Sequence, residues 1–166
     1  MKSTILANLG LLLVGLIATS CGSRNAVHPT DSQVIAIYRS ELTNLVQVVG
    51  MLKQDPGVEA VWIEGGKIRV GGDRAANMSV ERLAKYQALL ERLGSTVGVH
   101  SFKGDSVDFA LSSFGLSVSG SGKGIAYRER TPEFGLVGDT DAQPPLPNIG
   151  RTFRSIEGYW YVYYSE

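Results

Sequence analysis

The chain has 166 residues, with 16 lysines and arginines against 16 aspartates and glutamates, 20 glycines and a single cysteine. Zero formal charge excludes a nucleic-acid binder that works by displacing counterions from a phosphate backbone. One cysteine excludes an intramolecular disulfide and any cysteine-based zinc site, while 43% hydrophobic residues suffice for one core.

The N-terminus carries Lys2, then an apolar run from Ile5 to Ala18. That run is shorter than the ~20 residues needed to span a bilayer and has the flanks of a secretory signal. It ends in Ala18-Thr19-Ser20-Cys21. These residues resemble the lipobox of bacterial lipoproteins, with Ala18 where that family prefers Leu. The resemblance implies cleavage after Ser20, acylation of Cys21 and attachment to a membrane through acyl chains. Gly22 and Ser23 follow, with no Asp to retain the protein at an inner membrane. The resemblance therefore implies an outer membrane facing the periplasm in a host with two membranes. Residues 1–20 read as the signal and 21–29 as a lipidated tether. Eight extended residues from Gly22 reach at most about 28 Å.

Residues 30–166 read as one α+β domain. Thr30 and Gln33 fit a capping box, and Ile35, Tyr38, Leu42, Leu45, Val49 and Leu52 recur at helical spacing until Asp55-Pro56-Gly57 stops them. Few basic residues lie on the polar face, so this helix packs on a core and not on a membrane surface. Val58–Glu64 and Lys67–Val70 flank Gly65-Gly66, a two-residue turn that needs positive φ at both positions. The implied register pairs Glu64 with Lys67 as an ion pair and Trp62 with Arg69 as a stack. A second helix runs from Ser79 to Leu93, with Val80, Leu83, Tyr86, Leu90 and Leu93 as its apolar face, and stops at Gly94.

Strands follow. Thr96–Lys103 is one. Val107, Phe109 and Leu111 alternate in one phase and Phe114, Leu116 and Val118 in the other, which implies a bulge near Ser112-Ser113. Lys123–Arg130 presents Ile125 and Tyr127 on one face. Residues 131–150 form a long Pro-rich loop of the kind that serves binding. Arg151–Ile156 and Tyr159–Ser165 make the last hairpin. Helices segregated from strands predict two helices packed on one face of a twisted, mainly antiparallel sheet, with four or five strands in it.

Chemistry-bearing motifs are sparse. Gly120-Ser121-Gly122-Lys123-Gly124 lacks the first glycine and final Ser or Thr of a phosphate loop, so no cofactor is expected. No Gly-x-Ser-x-Gly elbow occurs. His28 lies in the tether. A metal or hydrolytic site has only His100 with Asp105 or Asp108 to draw on, and no metal is expected. The most unusual segment is Tyr159-Trp160-Tyr161-Val162-Tyr163-Tyr164. Tyr159, Tyr161 and Tyr163 share one strand face; Trp160, Val162 and Tyr164 share the other. They form either a covered strand or an aromatic platform, with Arg128, Arg130, Arg151 and Arg154 near it in sequence. Arg154–Tyr161 also resembles the close of some small bacterial proteins, a resemblance that implies no activity. The expectation is a non-catalytic envelope module, with Tyr159, Trp160, Tyr161, Tyr163, Arg128 and Arg154 as candidate contacts for a protein or peptide partner. An immunity or exclusion role belongs to that class. The alternatives are an envelope hydrolase or metal enzyme near His100 and Asp108, or an assembly component of an envelope complex.

Overall fold

The computed structural model describes residues 28–73, 77–94, 98–102, 105–114, 120–143, 145 and 150–166. Cys21, Leu116, Val118 and the signal segment lie outside the described residues. In chain order the elements are α1 (Asp31–Gln54), β1 (Ala60–Glu64), β2 (Lys67–Gly71), α2 (Val80–Leu93), β3 (Gly98–Phe102), β4 (Ser106–Phe114), β5 (Ser121–Arg128), β6 (Arg151–Glu157) and β7 (Trp160–Ser165). The strands form a single sheet of seven in the order β2-β1-β3-β4-β5-β7-β6. Every adjacent pair is antiparallel. The sheet is therefore wider than the four or five strands expected, because both hairpins join it.

Each helix starts where the sequence places its cap. Thr30 Oγ1 accepts the Gln33 backbone N–H at 3.3 Å, and Gln33 Oε1 accepts the Thr30 N–H at 2.8 Å. Two donors that the helix leaves unbonded are thereby satisfied. Ser79 caps α2 in the same way, through the Arg82 N–H at 3.2 Å. Arg82 then reaches back to Asp55 and the Met51 carbonyl, at 2.7 and 3.0 Å, and locks α2 to the end of α1.

Both helices lie on one face of the sheet: α1 against β5 and β7, α2 against β1 and β2. Between helices and sheet sits the main core, with Val34, Tyr38, Leu45, Val48, Tyr86, Leu90, Val61, Val99, Val107, Phe109, Ile125, Trp160 and Val162 buried. The face of α2 is rotated from the expected one. Val80 is exposed and Leu89 takes its place inside. At 100° per residue Val80 lies about 120° around the helix from Tyr86, beyond the buried stripe.

The β1–β2 hairpin has the expected register, from Ala60 opposite Gly71 to Glu64 opposite Lys67, and Gly65 and Gly66 take φ of 57° and 73°. Its side-chain partners differ. Glu64 pairs with Arg69 at 3.1 Å, not with Lys67, and the Trp62 ring lies over Gly71, where a Cβ would meet it at 3.5 Å. The β4–β5 register shifts between Ala110 and Ser112, one residue before the expected bulge. Opposite that shift, a Cβ on Gly124 would lie 1.9 Å from the Phe109 carbonyl oxygen. That close approach, and not a phosphate, accounts for this glycine. In the Pro-rich loop, Gly135–Val137 zips along β6: the Phe153 N–H donates to the Gly135 carbonyl and the Val137 N–H to the Phe153 carbonyl, at 2.7 and 2.8 Å.

Candidate functional site

The sheet face away from the helices is built from alternate residues of the same strands. Over β5, β7 and β6 it holds a second, smaller core of Ala126, Phe153, Tyr161 and Tyr163. A charged layer lies with it. Asp108, itself buried, accepts Arg128 Nη2 at 2.5 Å on one oxygen and Arg151 Nη1 at 2.6 Å on the other. Arg128 also donates to the Val107 and Tyr127 carbonyls and sits 5.2 Å from the Phe153 ring centroid. Arg151 sits 5.0 Å from that of Tyr163. Two guanidinium groups thus serve one carboxylate, and the excess positive charge stays on this face. Burial, and then the charge of Asp108, raises the Tyr163 hydroxyl pKa well above that of a free tyrosine. That hydroxyl has no hydrogen-bond partner among the described residues.

Beside this layer runs a trough. One end, of about 380 Å³, is lined by Tyr163, Arg151, Asp108, Ala110, His100 and Phe102. It continues past His100 and Phe102 into a second hollow of about 830 Å³ reaching Trp62. Its floor is low because Ala60, Gly71, Ala110 and Gly122 carry little or no side chain. Its apolar wall is Trp62 and Phe102, exposed by 37% and 49%. No described segment covers it.

The expected contact residues divide among three environments. Arg128, Tyr161 and Tyr163 belong to the face just described, with both tyrosines only 4% exposed. Trp160 points the other way, into the main core, with Tyr38 and Phe109 rings 5.6 and 6.2 Å away. Arg154 also faces the helices. Tyr159 stands exposed in the β6–β7 turn. A continuous aromatic platform is therefore absent from the described residues: strand alternation sends half of the run inward. His100 is exposed opposite Asp108, but both Asp108 oxygens are held by arginines, so this pair does not assemble a metal or acid–base site.

Two polar clusters gave no motif in the sequence. In the first, Lys123 on β5 lies 2.7 Å from Asp31 at the start of α1 and contacts Asp141. Asp31 also accepts the Thr140 N–H at 2.9 Å, its hydroxyl, and Arg154 Nη1 at 3.2 Å. Burial would raise the Asp31 pKa, but the hydrogen bonds from Lys123, Thr140 and Arg154 outweigh it and hold it at about 2. Carboxylate oxygens of Asp31, Asp139 and Asp141 lie within 4.8 Å of one another. Lys123 and Arg154 already supply the positive charge there. In the second cluster, His28 docks on the sheet instead of hanging in a free tether. Its ring nitrogens lie 2.7 Å from the Ser112 and Ser121 hydroxyls, with the Phe114 and Tyr164 rings 4.8 and 5.3 Å away. Burial, and then nearby Lys123, pushes its pKa down.

No family model, curated protein or solved structure matches the chain. No helix among the described residues is long and apolar enough to cross a membrane.

Proposed function

We propose that the protein is a lipid-anchored component of the cell envelope, attached through Cys21, that acts by binding a protein or peptide partner without catalysis. An outer membrane facing the periplasm is the favoured location. The observation that carries the binding reading is the unequal cover of the sheet. One face is sealed by α1 and α2, while the other keeps an open trough with Trp62 and Phe102 exposed along it. Isolated exposed apolar residues are ordinary, but two large ones lining a single concave surface mark a contact site. The commitment of Asp108 to two arginines weighs against the enzymatic alternative at His100.

The test is photo-crosslinking in intact cells. A benzophenone amino acid at position 102 should give a discrete adduct, and one at Ala84 on the outer side of α2 should not. Equal labelling at both positions, or none at either, would overturn the binding face. Mass spectrometry of the membrane-extracted protein tests the anchor: it should begin at an acylated Cys21, and a product retaining Met1 would refute it.

A further inference from the structure

We infer that the trough captures the C-terminal carboxylate of an extended peptide, with Arg151 as the carboxylate ligand and Phe102 and Trp62 as contacts for the preceding side chains. This rests on the trough being the binding face.

Three observations converge on a carboxylate. The first is preorganisation. Arg151 is held from one side by Asp108 through Nη1 and stacked on Tyr163, and no other hydrogen bond to its guanidinium is made among the described residues. A guanidinium fixed in this way presents paired N–H groups to a planar anion at little entropic cost. The second is charge. At the Arg151 end, Arg128 and Arg151 exceed Asp108 by one positive charge, whereas the trough's other carboxylates, Glu59 and Asp105, line its far hollow. The third is the Tyr163 hydroxyl, which lines the trough with no hydrogen-bond partner among the described residues. It is not sealed from solvent, so a ligand oxygen can replace water there as its acceptor.

The remaining trough selects a peptide over a small acid. From Tyr163 on β7 to Trp62 on β1 the face crosses β5, β4 and β3. Four strand spacings make about 19 Å, room for five or six extended residues. Along that path small residues make the floor and Phe102 and Trp62 an apolar wall, while Glu59 and Asp105 line the far hollow, so apolar side chains are accommodated near the wall and a basic one at the far end.

The experiment uses the full-length protein in detergent and a randomised pentapeptide library, prepared once with free C-terminal carboxylates and once as carboxamides. Binders should come from the carboxylate set with at least tenfold preference. Arg151→Met, which keeps the apolar stem over Tyr163, should lose at least tenfold in affinity for them; Tyr163→Phe, which keeps the ring, should lose several-fold. Unchanged melting temperatures would show that both variants remain folded. Carboxamides binding as well as carboxylates, or Arg151→Met binding as the parent does, would overturn the carboxylate assignment. If carboxamides bind equally and Phe102→Ser abolishes it, the binding face stands and only its ligand class falls. If neither set binds and position 102 gives no crosslink, both fall.

Discussion

The Asp31 carboxylate lies 2.7 Å from the Lys123 ammonium, and both side chains are almost wholly excluded from solvent. This contact fixes the first residue of α1 to the middle of the sheet, and Thr140 and Arg154 bring the Pro-rich loop and β6 to the same point. Removing Lys123 leaves the buried Asp31 with Arg154 alone as counter-charge, so Lys123→Met should destabilise the fold by about 3 kcal/mol. Urea denaturation would measure it. A cost below about 1 kcal/mol would mean that the pair is not formed in solution.

The same contact makes stability depend on acid. The Asp31 pKa of about 2 lies below the ordinary carboxylate value of 3.8, so the unfolded chain takes up the proton first. Its contribution is full above about pH 5 and is lost as the pH falls from about 4 towards 2. By linkage it amounts to about 2 kcal/mol. Denaturation midpoints from pH 6 to 2 should show this fall, and Asp31→Asn should remove that part of it.

His28 titrates in a different range. Its pKa is lowered in the folded state, so the folded form resists protonation. Acidification through the ordinary value near 6.5 should loosen its dock on Ser112 and Ser121, with the loss complete below the depressed folded value. Imidazole chemical shifts followed by NMR across this range should give a midpoint below 6.5. A midpoint above it would show that the ring is not enclosed.

The aromatic run should separate by position. Tyr161→Ser opens a cavity beside Phe153 and should cost about 3–5 kcal/mol. Tyr159→Ser, in the turn, should stay within about 0.5 kcal/mol of the parent. Thermal unfolding of the two variants checks this, and equal losses would contradict the assigned faces.

Gly124→Ala should be among the most damaging single substitutions. The added methyl group meets the Phe109 carbonyl, and backbone must shift to admit it. A loss above about 2 kcal/mol is expected, whereas Gly138→Ala, with open space around it, should be tolerated.

Local structure was largely legible in the sequence. The Gly65-Gly66 turn with alternating flanks specifies its own register, and Thr30 with Gln33 specifies a helix start. Contacts between distant segments were not. Asp31 and Lys123 lie far apart in the chain, and only one signal hinted at their meeting: Lys123 shares the inward phase of Ile125 and Tyr127. A lysine in that phase needs an acid nearby, but nothing local says which one. His28 carried no signal at all, because its partners are serines on two strands. The candidate contacts were legible only as types. Alternation divided the aromatic run into two faces, but not which face the helices would take. Trp62 was legible only as a cross-strand neighbour of Arg69, and Phe102 as an ordinary strand residue, until the sheet is assembled around them.

The zip of Gly135–Val137 along β6 has a consequence for crowding. It occupies one flank of the sheet with the chain's own backbone, so a neighbouring molecule finds no free strand edge at Phe153. The opposite flank, β2, is short and carries Lys67 and the Arg69–Glu64 pair, charged side chains that discourage pairing with a second copy. Many copies packed side by side would therefore resist growing into a shared β-ribbon.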